Sequence, residues 1–184
     1  AGLPQLAGQA GDAKSYAERL FDFPRLDRLE EADAHAAIRE PIEAENASIE
    51  EEALAEIYSQ SRGYPYFLQE WGYNVWNICR TTRIVRAEAE EATRVSLRKL
   101  DGSFFRVRFD RLTPTEREYV RALAGLGPEP QRSSDVAAEM GRKANSVAPV
   151  RDNLIKKGML YSPEHGMIAF TVPLFDEFMQ RAMP

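Results

Sequence analysis

The stretch Thr113-Pro114-Thr115-Glu116 limits most strongly what this chain can become. Threonine stands where a helix N-cap belongs, proline at the first helical position and glutamate at the third, so three helix-start signals coincide. REYVRALAGLG then runs to Gly125 and Gly127. Ser133-Ser134-Asp135 opens a second short helix, VAAEM, which Gly141 stops. A third helix over about 145–157, NSVAPVRDNLIKK, ends at Gly158. Two short apolar runs follow, on either side of Pro163-Glu164-His165-Gly166, and this pattern predicts a β-hairpin with a tight turn. Helix, helix, helix, hairpin is the order of a winged helix-turn-helix, with Gly141 where the turn between the second and third helices belongs. LFDEFMQRAM closes the chain as a helix with Leu174, Phe175, Phe178 and Met179 on one side.

Upstream, residues 29–103 read as a small helical bundle. LEEADAHAAIREPI carries Leu29, Ala32, Ala36, Ala37 and Ile42 at helical spacing. Ser48 to Glu51 has the form of a capping box before EEALAEIYSQSR, whose Ile49, Ala53, Leu54, Ile57 and Tyr58 make a stripe. An aromatic helix over 65–79 and RAEAEEATRVSLRKL complete a four-helix assembly, ending near Asp101-Gly102. Residues 1–28 are mixed: a Gly/Pro loop, a short helix at AKSYAERL, and LFDFPRL as an edge strand whose sheet lies elsewhere. The expected domains are therefore 1–28, 29–103 and 104–184, with the last boundary inside FFRVRFDRL. The expected class is mainly α.

Composition narrows the function. A hydrophobic content of 43% with 29% charged residues suits a soluble globular chain. No apolar run approaches the length of a membrane-spanning helix, and no basic-then-apolar leader opens the sequence. The absence of an initiating Met points to processing or to a piece of something longer. One cysteine, Cys79, and two histidines, His35 and His165, leave no metal-ligand spacing and suit a reducing cytoplasm. A net charge of −5 argues against indiscriminate nucleic-acid binding. There is no phosphate loop, dinucleotide fingerprint, nucleophile elbow or zinc-protease motif, so this chain is not expected to catalyse a reaction alone.

Residues 61–77, SRGYPYFLQEWGYNVWN, hold both tryptophans and three of the seven tyrosines. By periodicity Phe67, Leu68, Trp71, Val75 and Ile78 form an ordinary core stripe. Pro65 is a favourable first-turn residue, and Gly72 lets a neighbouring backbone approach.

The order GLP, SYAERLFDFPRL, an acidic Ala-rich helix, GYPYFLQ and a winged helix resembles the second half of a bacterial P-loop ATPase. The family is the archaeal-ATPase-like, STAND-type branch of AAA+, related to the origin-recognition ATPases. The resemblance spans nearly the whole chain. It implies that Gly2–Pro4 follow a sensor strand and that Gly63, Tyr64 and Pro65 open a lid helix beside the adenine of ATP or ADP. Arg62 is then a sensor candidate and Arg19 a candidate arginine finger; the ordinary reading of Arg19 is a surface pair with Glu18 or Asp22. The phosphate loop and the Mg²⁺-binding acid would lie upstream, in an N-terminal ATPase core that is the first implied partner. ATP or ADP with Mg²⁺ is thus a cofactor of the intact protein, with none expected in this chain alone.

From Thr113 to Pro184, nine Lys/Arg balance nine Asp/Glu. Arg132, Arg142, Lys143, Arg151, Lys156 and Lys157 gather around the second and third helices. Asn145, Ser146 and Arg151 would meet a major groove, and Arg142 and Lys143 phosphates. The acid at the hairpin tip and Asp152 favour a protein partner instead. The alternative of another class is a self-contained winged-helix transcriptional regulator with a helical effector or dimerisation domain.

Overall fold

The structure, a computed structural model, describes residues 28–184. It is mainly helical, a helical bundle followed by a winged helix-turn-helix, and these residues divide into two compact units, 28–104 and 105–184.

The first unit contains α1 (Glu31–Ala44), α2 (Glu51–Ser61), α3 (Pro65–Ile78) and α4 (Arg86–Lys99). Helices α2 and α3 both lie against α4, and α1 packs on α2 and α3. The small side chains of Ala89, Ala92 and Ser96, all buried, line α4 at three- and four-residue spacing, so two neighbouring helices can come close to it. They meet Ala53, Leu54 and Ile57 from α2 and Phe67, Leu68, Trp71 and Val75 from α3. The buried face of α1 is Ala34, Ile38 and Ile42. It differs from the expected stripe, since Ala32 and Ala37 are exposed. An alanine-rich helix carries little hydrophobic contrast, so its two longest aliphatic chains decide its rotation.

Three local expectations change. Ser48 does not cap α2; the N-cap is Glu50, and Ser48–Ile49 forms β1, paired in parallel with β2 (Arg83–Ile84). The pairing takes Ser48 into a ladder and buries Ile49 and Ile84. Gly72 admits a side chain rather than a backbone, because a Cβ there would lie 3.0 Å from Ile38 Cδ1. After α4 the chain does not end its helix at Asp101-Gly102. It widens into a π-helical stretch, Leu100–Phe105, and continues as α5 (Arg106–Asp110). Ser103 Oγ donates to the Lys99 carbonyl at 2.6 Å, the four-residue back-bond that competes with regular helix pairing.

The second unit continues with α6 (Pro114–Gly125), β3 (Gln131–Arg132), α7 (Ser133–Glu139), α8 (Ala144–Lys156), β4 (Leu160–Tyr161), β5 (Met167–Phe170) and α9 (Phe175–Ala182). The Thr113 box forms as expected: Thr113 N–H donates to Glu116 Oε2 at 2.7 Å, and Glu116 N–H donates to Thr113 Oγ1 at 3.4 Å. Strand β5 is central, antiparallel to β4 through Leu160–Phe170 and to β3 through Arg132–Met167. The hairpin is the expected one; the third strand is new, too short to leave a periodic signal. Phe105, Phe109, Phe175 and Phe178 build the core against α9, with ring centroids 5.4–5.9 Å apart.

Candidate functional site

The α2–α3 turn is built around one position that only glycine fits. Helix α2 ends in a left-handed C-cap at Arg62 (φ 53°), and Gly63 follows at φ 66°. A Cβ on Gly63 would sit 2.5 Å from the Leu29 carbonyl oxygen and 3.1 Å from the Tyr58 ring. The approach is reciprocal, since Leu29 N–H donates to the Gly63 carbonyl at 2.9 Å. Space and backbone angle thus both demand glycine. Tyr64 is the extended N-cap of α3, with its N–H on the Ser61 carbonyl at 3.0 Å, and Pro65 takes the first helical position. Arg62, Gly63, Tyr64 and Pro65 are therefore one turn, fixed by backbone contacts to Leu29. Sequence reasoning missed Leu29, and a glycine forced by its surroundings was the one available hint.

Aromatic groups surround this turn. Tyr64 meets Phe67 edge-on at 4.8 Å, and Tyr66 stacks on Phe104 at 5.0 Å. Phe67 and Trp71 are wholly buried, whereas Pro65 is exposed and Tyr66 is 49% exposed. The first turn of α3 carries no acidic residue, and Tyr64 makes no side-chain cap. A helix start without a nearby carboxylate is an electropositive edge. Here it lies beside a partly exposed aromatic surface. Ile78, expected in the core stripe, is only half-buried, and Asn74 takes a core place instead. Arg19 and the Gly2–Pro4 segment lie outside the described residues.

The second group of candidates lies on α7, α8 and the turn between them. Arg132 is exposed at the N-cap of α7. Arg142 is exposed and pairs with Glu118 at 3.0 Å, and Lys143 is the exposed N-cap of α8. Asn145 and Ser146 are exposed in the first turn of α8, with Ser146 Oγ donating to the Lys143 carbonyl at 2.7 Å. Arg151 is held by Asp152 at 2.8 Å. Lys157 plays a structural part instead, since its ammonium donates to the buried Glu116 at 2.6 Å and to the Arg111 carbonyl at 3.0 Å. Burial would raise the Glu116 carboxyl's pKa, but the bonds from Lys157 and from Thr113 outweigh it and hold the pKa below its ordinary value. Lys157 thus ties the end of α8 to the start of α6.

Among the described residues no cluster of His, Cys, Asp or Glu is arranged to hold a metal ion. Burial, then the Glu88 carboxylate, pushes the Cys79 thiol up, away from the nucleophilic thiolate. No described helix is long and apolar enough to cross a membrane.

A family model described as a domain of unknown function, DUF8462, matches residues 102–179. No curated protein matches the chain. Solved structures similar to it include a RuvB mutant of Thermotoga maritima, at 18% identity and a TM-score of 0.44, covering 85% of this chain and 51% of that one. Another is the Thermotoga maritima RuvB Holliday junction branch migration motor, at 19% identity and a TM-score of 0.40, covering 78% and 47%. The chain spans about half the length of the RuvB structures it matches.

Proposed function

We propose that this chain is the lid and winged-helix region of an ATP-binding, AAA+/STAND-type P-loop ATPase. It senses the bound nucleotide and couples that state to DNA or to a protein partner. The observation that carries the reading is the Gly63 turn. Its backbone is locked by Leu29 through a close approach and a hydrogen bond, and it presents Tyr64 and Pro65 at a helix start whose first turn carries no acidic residue. Such a surface suits a purine ring lying against Pro65, with the phosphates toward the electropositive helix start. Because Leu29 and Gly63 hold each other through backbone atoms, a displacement of the chain entering at Arg28 is delivered to Pro65. Two discrete lid positions, biased by ATP or ADP, are the switch that such a coupling needs.

The phosphate loop and the Mg²⁺ ligand belong upstream in this reading, and Arg19 reaches the γ-phosphate there. The winged helix is the output. Arg132, Arg142, Lys143, Asn145, Ser146 and Arg151 make its DNA face, with about half of its charge already answered by acids. Binding to random duplex is therefore weak and falls with rising salt. A flat salt response would assign the face to a protein partner.

The test is nucleotide binding by the gene product extended upstream by roughly 100–170 residues, the size of an α/β nucleotide-binding core. The extended protein should bind a fluorescent ATP analogue, and Pro65→Gly should weaken that binding about ten-fold while costing no more than about 1 kcal/mol of stability. An upstream sequence without a phosphate loop, or an extended protein that ignores ATP, overturns the proposal. In that event the self-contained regulator remains.

A further inference from the structure

Two buried hydroxyls in the winged-helix unit stand beside a cleft. Tyr119 is fully buried, and neither its Oη nor the buried Ser133 Oγ has a hydrogen-bond partner beyond the other. Burial and the Asp152 carboxylate raise the Tyr119 pKa, while the Arg151 charge and the Ser133 hydroxyl act in the opposite direction. Ser133 and Arg151 also line a cleft of about 270 Å³, together with Ile155, Ser162, His165 and Gly166. The start of α7, the middle of α8 and the hairpin tip form its walls. The backbone ties two of them together, since Ser133 N–H donates to the Gly166 carbonyl at 2.9 Å.

The chemistry of the lining is one-sided. Arg151 gives Nε and Nη2 to a single Asp152 oxygen, at 3.0 and 2.8 Å, and three of the five guanidinium N–H groups remain. Asp152 holds the guanidinium and is not among the lining residues. His165 is exposed at the tip, with imidazole N–H as a further donor. Ser162 is already used, donating to the Glu164 and Met167 carbonyls, so it shapes the tip and does not bind. The lining thus combines a guanidinium with three N–H groups left over, a hydroxyl and an imidazole, while the carboxylate on that guanidinium, Asp152, lies outside the lining. Buried hydroxyls without partners are uncommon and mark where a polar group is wanted. A tetrahedral oxyanion satisfies such a set; a neutral or cationic ligand does not.

We propose that the cleft between Ser133, Arg151 and His165 binds a single phosphate group. Arg151 supplies the charge-assisted pair, and Ser133 and His165 supply the flanking donors. The phosphate comes either from a nucleic-acid backbone or from a free phosphate. The inference rests on the output half of the function proposed above and is independent of nucleotide sensing by the lid.

The test uses the 184-residue chain, with ¹H–¹⁵N spectra followed during titration with inorganic phosphate and, separately, with a short DNA duplex. Saturable shifts are expected at the Ser133 and Gly166 amides and at Arg151 Nε. Arg151→Gln should weaken the response about ten-fold, through loss of one charge-assisted pair. Should that variant lose its fold by circular dichroism, Ser133→Ala and His165→Gln carry the same expectation at a smaller size. If the duplex moves these resonances and phosphate competes with it, the source is the nucleic-acid backbone. If phosphate alone moves them, the ligand is free phosphate. No saturable shift with either, or shifts indifferent to all three substitutions, overturns the proposal. None of these outcomes depends on ATP, so failure here leaves the nucleotide reading to its own test.

Discussion

The two units differ in how far their buried side chains pair with one another and in how tightly their left-handed turn glycines are enclosed. In the bundle of residues 28–104, a seam of hydrogen bonds runs between α3 and its neighbours. Trp71 Nε1 donates to Thr93 Oγ1 at 2.9 Å, and the Thr93 hydroxyl donates to Glu56 at 3.2 Å. Asn74 Nδ2 donates to Ser96 at 2.7 Å and to Glu70 at 2.9 Å, while Lys99 donates to Asn74 Oδ1 at 2.9 Å. In residues 105–184, the buried Tyr119 and Ser133 hydroxyls have no partner beyond each other. The positive-φ turn glycines differ as well. Gly63 has no room for a Cβ, whereas Gly127, Gly141 and Gly166 would find nothing within 4 Å. The bundle is held by close contact at Gly63 and along this seam, although His35 Nε2 is buried without a hydrogen-bond partner and Gly102 has open space around it. The winged unit needs only the correct backbone angles at its turns and keeps polar capacity in reserve beside a cleft, which suits an element that binds.

Five substitutions break or sharpen this contrast. Gly63→Ala meets both the strained angle and the Leu29 carbonyl, and should lower stability by about 3 kcal/mol in urea titration. A neutral result would remove the idea that the bundle is locked there. Asn74→Ala strands the buried Ser96 hydroxyl and leaves the Lys99 ammonium hydrogen-bonded to Glu70 alone, and a loss of about 2 kcal/mol is expected by the same measurement. Glu116→Gln should lower stability by about 1–2 kcal/mol at pH 7, because a buried charge-assisted pair is lost. The native carboxyl's pKa is depressed, so its contribution is full above the ordinary carboxylate pKa and fades as the pH falls through the lower folded value. Wild-type and variant melting curves should therefore converge in acid; a gap that persists at about pH 2 would show that the carboxylate charge is not responsible. Gly141→Asn, in open space at φ 64°, should change stability by less than about 1 kcal/mol, since asparagine tolerates the left-handed region. The smallest effect belongs to Tyr119→Phe, within about 0.5 kcal/mol, because the removed hydroxyl has no partner beyond Ser133 to lose. A loss above about 1 kcal/mol would mean that this hydroxyl is satisfied in solution and would erase the contrast.

The winged-helix unit was largely legible in advance because its signals are local. A capping box, glycines at the ends of helices and a hairpin turn act within a few residues, and each is recovered in the structure. The bundle was legible in number and order of helices but not in rotation. Ala32 and Ala37 resemble Ala34 in character, and only packing against α2 and α3 selects Ala34, Ile38 and Ile42. The turn at Gly63 was visible as a motif, while its partner, Leu29, lies thirty-four positions away. The cleft was invisible, since Ser133, Arg151 and His165 carry no shared spacing.

By itself the sequence determined where helices start and stop, which residue types had to be buried, and that the last seventy residues follow winged-helix order. Those features depend on backbone sterics and on the period of apolar side chains, both written within one turn or one strand. Only the tertiary structure decided that Ser48 joins a ladder with Arg83, that Asn74 is buried in a polar seam, that Lys157 serves Glu116, and that Gly63 has no space to spare. Each of these needs two segments far apart in the chain to meet, and the free energy that brings them together is spread over the whole core rather than encoded at either position.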